Sequence, residues 1–302
     1  MILLFNGCSH TFGQNRTHPY CTYSNMILKY FDKKSKLFYN NTNEWLKFSS
    51  EKEFRYSKFK EFNRISGTKG YNMAARGKGN EAIFLETLEC VEYLVSKNKK
   101  PDYVFVQWSG PSRNLSLDYL DNYDWVTPYD FNKEYTLYEP EASRKTVYFM
   151  YLLQSILEKY QIKYSFICYQ KLEEEIKNNI IFNKIDKNRF AVNQDDITVG
   201  MIDVFRKNGM VLDAQGHPNT LGNYYLFQKL LENLNINNTN LGIINFLNFY
   251  CEGFEKNMLS LKFITNEFYT DIIPLSKKSI KKKNLDSHIL NFFNKVRNKK
   301  IH

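Results

Sequence analysis

The chain has 302 residues, 43% of them hydrophobic and 16% aromatic, which is enough for one large domain or two smaller ones with a real core. Its net charge of +10 sits mostly at the end, because residues 274–302 hold nine Lys/Arg against one acidic residue; the near-neutral body speaks against a nucleic-acid-coating protein. The five cysteines, Cys8, Cys21, Cys90, Cys168 and Cys251, are odd in number, far apart and without a C-x-x-C pair, which argues against a disulfide framework and a zinc site.

The chain opens with Ile2-Leu3-Leu4-Phe5, an apolar run that stops at Asn6-Gly7. Such a run bounded by turn residues reads as a buried strand of a parallel sheet. Ser9 then lies just past the carboxyl end of that strand, where open α/β sheets place their ligands. Two readings fit it: a nucleophile on a tight strand-to-helix turn, or a serine capping the next helix. A helix is expected over 20–31, and 32–66, which lacks a clear period, reads as an insertion over the sheet edge. Residues 69–75 read as a second strand ending in the glycine-rich turn Arg76-Gly77-Lys78-Gly79-Asn80. The following helix places Phe84, Leu88, Val91 and Val95 on one stripe.

Pro101-Asp102 ends that helix, and residues 103–108 read as a third strand running into the turn Ser109-Gly110-Pro111-Ser112-Arg113. Residues 114–142 read as a second, irregular insertion. Met150, Leu153, Leu157 and Tyr160 mark a helix, and 164–168 a fourth strand. The charged stretch 170–208 is expected to be mostly helical. Asp213 to Gly222 forms a loop opening into a helix, with His217 inside it. The repeated order of strand, turn and helix predicts a three-layer α/β/α sandwich with a parallel sheet and right-handed crossovers. Residues 235–240 are a low-complexity break. They divide a domain of 1–235 from an extension of 236–302, whose basic tail ends in a short amphipathic helix.

The turns at one end of this sheet collect Ser9, Gly77, Ser109 to Arg113, and Asp213 with His217. A serine nucleophile needs a base within hydrogen-bond reach, and the base needs an orienting partner. His217 is the histidine in a turn after the last strand–helix unit, whereas His10, adjoining Ser9, is expected to project away from it. Backbone N–H groups of Ser9 and Gly77 are available for an oxyanion, and Asn80, Ser109 and Arg113 are candidates for oxyanion or substrate binding. Each residue also has a plainer reading: His217 and Asn80 as helix caps, Gly77 as a glycine needed for positive φ, Asp213 as a solvated turn residue, Arg113 as a surface arginine. The Gly77-Lys78-Gly79-Asn80 turn matches neither phosphate-loop pattern.

Gly7-Cys8-Ser9-His10-Thr11, then Asn72-Met73-Ala74-Ala75-Arg76-Gly77, then Asp213 with His217-Pro218-Asn219 resemble the ordered blocks of the SGNH (GDSL-type) hydrolases. The resemblance spans roughly residues 1–235 and is strongest with the Gly-Cys-Ser-His-Thr branch found in bacteriophages and bacteria. It implies a flavodoxin-like SGNH fold, esterase activity with neither metal nor cofactor, Ser9 as nucleophile, His217 as base and the Ser9 and Gly77 N–H groups as oxyanion donors. Two departures stand out. The family's third block carries an asparagine that completes the oxyanion hole, and here the turn reads Trp108-Ser109-Gly110-Pro111-Ser112-Arg113, so Ser109 or Arg113 is left to donate. The family's acid lies three residues before the histidine, where this chain has Ala214; Asp213 is one position further off.

The expected function is therefore a serine ester hydrolase that removes acetyl groups from carbohydrate, with an O-acylated glycan as substrate. The alternative is a weakened SGNH fold acting as a structural or glycan-binding protein, such as a virion component. No apolar run approaches the ~18 residues of a transmembrane helix, and the first five residues are too short for a signal peptide. The chain is thus expected to be cytoplasmic at synthesis, without membrane insertion or a nucleic-acid partner; incorporation into a virion or docking to a protein would use the basic tail.

Overall fold

The computed structural model describes residues 1–12, 22–32, 35, 37–39, 67–75, 77–117, 123–126, 139–207, 217–218 and 220–236. Asp213, most of the 32–66 insertion and everything from 237 onward lie outside the described residues, so the division into 1–235 and 236–302 remains a reading of the sequence. Among the described residues no helix is long and apolar enough to cross a membrane.

The first strand, β1 (Ile2–Asn6), is buried along its whole length. Its side chains alternate across the sheet, as the two-residue period of a strand requires. Leu3 and Phe5 enter one core layer, and Ile2 and Leu4 the other. Each such side chain, fully buried, is worth roughly 1.5–3 kcal/mol. A single turn of helix, α1 (Ser9–Phe12), follows, then α2 (Tyr23–Phe31). Thr22 caps α2, its Oγ1 accepting from the Asn25 amide. A three-residue strand, β2 (Leu37–Tyr39), falls within the first insertion; β3 (Lys69–Asn72) and α3 (Asn80–Ser96) come next.

The strand β4 (Tyr103–Trp108) precedes a hairpin of β5 (Asn114–Leu117) and β6 (Tyr123–Val126). Thus part of the second insertion, expected to be irregular, pairs as an antiparallel ribbon. After α4 (Glu139–Lys159) and β7 (Lys163–Cys168), the chain closes its described part with α5 (Met201–Lys207) and α6 (Thr220–Asn233).

The main sheet has five strands in the order β2-β3-β1-β4-β7, all parallel. One layer packs α2, α5 and α6 on it; the other packs α3 and α4. Phe5 stacks on Phe105 between neighbouring strands, with centroids 5.0 Å apart, and Phe84 of α3 stacks on Phe149 of α4 at 5.1 Å. The expected three-layer α/β/α sandwich is what forms, with one more edge strand than the sequence predicted.

Strand order places β1 at a reversal: the chain leaves β1 for β2 at the edge, comes back to β3 beside β1, and then crosses β1 to β4. The crevice beyond the carboxyl ends at such a reversal is where ligands bind in this class of sheet. The stretch 170–208 departs from its helical expectation. It folds as short 3-10 turns at Glu174–Asn178, Phe182–Lys184 and Lys187–Arg189, with only α5 as helix. Local side-chain bonds explain this. Asn179 Oδ1 accepts from the amides of Ile181 and Phe182, Asp186 Oδ1 from Asn188 and Asp196 Oδ1 from Thr198. Such bonds offer the backbone an alternative to a helical ladder.

Candidate active site

The turn after β1 is shaped by Gly7. A Cβ there would lie 2.4 Å from Thr11 Oγ1 and 2.9 Å from Gln107 Cβ, so only glycine fits. Ser9 follows as the first residue of α1, and its Oγ lies 2.8 Å from His217 Nε2. Both residues are buried, and 208 positions separate them. A hydroxyl against an imidazole nitrogen at this distance is the arrangement of a serine nucleophile and its base. Asp213, the expected orienting acid, lies outside the described residues.

A chain of buried contacts fixes the two partners relative to one another. Thr11 Oγ1, two residues after Ser9, bonds Tyr23 OH at 2.6 Å and donates to Gln107 Oε1 at 2.6 Å. Burial pushes the Tyr23 phenol well above its ordinary value, keeping it protonated. The Tyr23 amide donates to Asn223 Oδ1, and Asn223 Nδ2 donates to the carbonyl of Pro218, next to His217. Helices α2 and α6 therefore tie the turn that bears Ser9 to the segment that bears His217. Their sequence signal was slight, since Thr11, Tyr23 and Asn223 stand in three separate segments.

Gly77 sits in the turn after β3 with φ +71°, a left-handed conformation that favours glycine. This turn lies against the Ser9 turn, for the Ala75 amide donates to the Gly7 carbonyl at 3.2 Å and the Met73 amide to the Phe5 carbonyl at 2.8 Å. The Gly77 and Ser9 N–H groups thus come from two adjoining turns at the carboxyl edge.

Asn80 behaves differently from both sequence expectations. It is the first residue of α3 rather than its cap, which is Gly79. Its amide is also spent: Oδ1 accepts from the Ser109 N–H at 2.6 Å, while Nδ2 donates to Thr146 Oγ1 at 2.9 Å and to the Ser109 carbonyl at 3.3 Å. Asn80 is a brace between α3, the turn after β4 and α4, and contributes no side-chain donor to an oxyanion. Its bond to the Ser109 N–H also removes that amide from the donor set.

Ser109 itself is buried, with its hydroxyl oxygen accepting from Arg113 Nη1 at 3.1 Å. Its own hydroxyl proton stays available to donate. The Arg113 guanidinium lies over the Tyr169 ring, 5.7 Å from its centroid. Tyr169 in turn faces His10 at 4.0 Å, and His10 faces His217 at 4.5 Å. His10 therefore lies between Tyr169 and His217. The one-turn helix opening at Ser9 rotates the next side chain toward the following elements rather than out of the site. Lys78 and Asn6, which the sequence reading left without a role, are buried beside the same turns.

No cluster of three or more His, Cys, Asp or Glu suited to a metal occurs among the described residues. Cys168 ends β7, and burial pushes its thiol up to about 12, which keeps it protonated.

No family model matches the chain, and no curated protein matches it. Solved structures similar to it include TesA, at 10% identity over 78% of this chain and 98% of that chain, with a TM-score of 0.38. The acetyl xylan esterase AlAXEase is 14% identical over 77% of this chain and 98% of that one, with a TM-score of 0.40. The lipase Lip_vut3 from a goat rumen metagenome is 15% identical over 77% and 97%, also with a TM-score of 0.40. The fold stands on the strand order and register described above, and the chemistry on the residues of the site.

Proposed function

We propose that this chain is a serine ester hydrolase of the SGNH type. The observation that carries the reading is the buried Ser9 Oγ–His217 Nε2 contact of 2.8 Å, at the carboxyl end of the strand where the sheet order reverses. His217 takes the hydroxyl proton as Ser9 Oγ attacks an ester carbonyl. The tetrahedral oxyanion accepts from the Ser9 and Gly77 N–H groups. His217 then protonates the departing alcohol, and water, deprotonated by the same imidazole, releases the acid from Ser9. Asp213 orients the imidazole in this reading.

Where the SGNH pattern has an asparagine, this chain supplies the Ser109 hydroxyl. Arg113 donates into the Ser109 oxygen, and a charge-assisted bond of that kind polarises the O–H for onward donation. Loss of one oxyanion donor costs about 3–4 kcal/mol in the barrier elsewhere, so a replacement is chemically significant. The substrate class is an acetyl ester of a carbohydrate, as the sequence resemblance implies.

The test is hydrolysis of p-nitrophenyl acetate by wild type, Ser9→Ala and His217→Ala proteins, with fluorophosphonate labelling in parallel. The reading expects turnover and labelling by wild type and neither by Ser9→Ala. An unlabelled, inert wild type would instead favour a glycan-binding or structural protein. Acetylated oligosaccharides are the next substrates to assay if the wild type turns over.

A further inference from the structure

The two turns that present the Ser9 and Gly77 N–H groups share a buried cation. Lys78 directly follows Gly77, and its side chain is 1% exposed. Its Nζ donates to Asn6 Oδ1 at 2.9 Å and to the Met73 carbonyl at 2.6 Å, and it pairs with the carboxylate of Glu86 on α3. Asn6 ends β1, and the same Oδ1 accepts from the Gly7 amide at 2.8 Å. Asn6 Nδ2 donates to the Ile83 carbonyl and to Thr87 Oγ1. A single ammonium therefore joins the end of β1, the end of β3 and the first turns of α3.

Burying a lysine without partners is costly enough that the group would ordinarily discharge. Here a carboxylate and two oxygens surround it. An apolar pair of similar volume would serve stability as well or better, so stability alone does not account for an ion pair at this place. Its geometry does: Asn6 Oδ1 is bonded at once to the Ser9 turn, through Gly7, and to the Gly77 turn, through Lys78.

We propose that Lys78 is a positioning residue that sets the Gly77 N–H against the Ser9 N–H, with Asn6 as the shared acceptor and Glu86 as the counter-charge. The inference rests on the reading of those two amides as the oxyanion donors. The Glu86 carboxylate neutralises the ammonium, so Lys78 acts through the spacing of the turns rather than through its field. A shift of about 1 Å in a reacting group costs on the order of 100-fold in rate, which sets the scale of the effect.

The experiment compares wild type with Lys78→Met and with the charge-free double variant Lys78→Met/Glu86→Leu, reading kcat, KM, the rate of fluorophosphonate labelling and the thermal midpoint. Lys78→Met is expected to lower kcat and the labelling rate by about 10–100-fold, with KM within about twofold, and to lower the midpoint. The double variant is expected to regain the midpoint while kcat stays low. It also keeps the test open if Lys78→Met alone does not fold. Recovery of kcat together with the midpoint would reduce Lys78 to a structural role and overturn the inference, as would a folded Lys78→Met protein with wild-type kcat. Absence of Ser9-dependent turnover in the wild type would remove the oxyanion reading and this inference with it.

Discussion

The turn after β3 and the turn after β4 flank the serine turn and are held in opposite ways. The first is tied by a buried charge: Lys78 and Glu86, with Asn6 between the strands. The second is tied by neutral groups, the Asn80 amide clasping both backbone atoms of Ser109 and reaching Thr146 on α4. Its only charge, Arg113, is half-exposed over Tyr169. A charge enclosed on all sides fixes distances strongly but tolerates no missing partner. An amide clasp fixes a backbone segment at lower cost and leaves the nearby cation at the rim.

The comparison has meaning only if the serine between these turns is reactive. The largest expected effect is therefore from Ser9→Ala or His217→Ala, each lowering kcat for p-nitrophenyl acetate by about 10⁴-fold or more, with little change in the thermal midpoint. Equal residual rates in the two variants would show the pair acting as one unit.

Breaking the neutral clasp comes next. Asn80→Ala strips partners from the buried Ser109 N–H and from Thr146, and a buried group left unsatisfied costs about 1–3 kcal/mol. Chemical denaturation should read a loss in that range, with kcat falling because Ser109 moves. If kcat holds while stability falls, the turn after β4 does not reach the reacting atoms.

Arg113 sharpens the contrast at smaller magnitude. Arg113→Lys keeps the charge but loses the planar fork that stacks on Tyr169 while donating to Ser109. Both Arg113→Lys and Arg113→Ala are expected to lower kcat by about tenfold, roughly 1.4 kcal/mol in the barrier. Rescue by lysine would mean that charge matters there and geometry does not.

The smallest effect lies away from both turns. Burial alone would raise the Asp196 carboxyl, but the Thr198 hydroxyl, the Lys177 ammonium and the Thr198 amide outweigh it and hold it below its ordinary 3.8. A carboxyl lowered by folding stabilises the protein above that value and loses its contribution as pH falls through the folded value. Asp196→Asn should therefore lower the thermal midpoint at pH 7 by about 2 °C, with the gap to wild type closing below pH ~4 and turnover unchanged throughout.

Much of the site could be read from the chain itself. The apolar run into Asn6-Gly7 announced a buried strand, and the serine after it fell where the sheet presents ligands. His217 was legible as the histidine in a late loop. The roles of Asn80, Lys78 and His10 were not. Asn80 was a plausible cap or donor until Ser109 and Thr146, 29 and 66 positions away, consumed its amide. Lys78 carried no role in the sequence because nothing local reveals a carboxylate in the second turn of α3 or an asparagine 72 residues back. On α3 only Phe84 and Val91 of the expected stripe are buried, Leu88 and Val95 are half-buried at its margin, and the buried face takes in Ile83, Thr87, Cys90 and Leu94 as well, because the sheet and α4 cover the helix from two sides.

The sequence alone determined the fold class, the strand that centres it and the residue types at the serine and histidine, since these depend on local apolar runs, turn residues and their order. Tertiary structure alone decided which polar groups were spent and which stayed free to act. That depends on distances between residues far apart in the chain, and a hydrogen-bonding group has only as many partners as its protons and lone pairs allow.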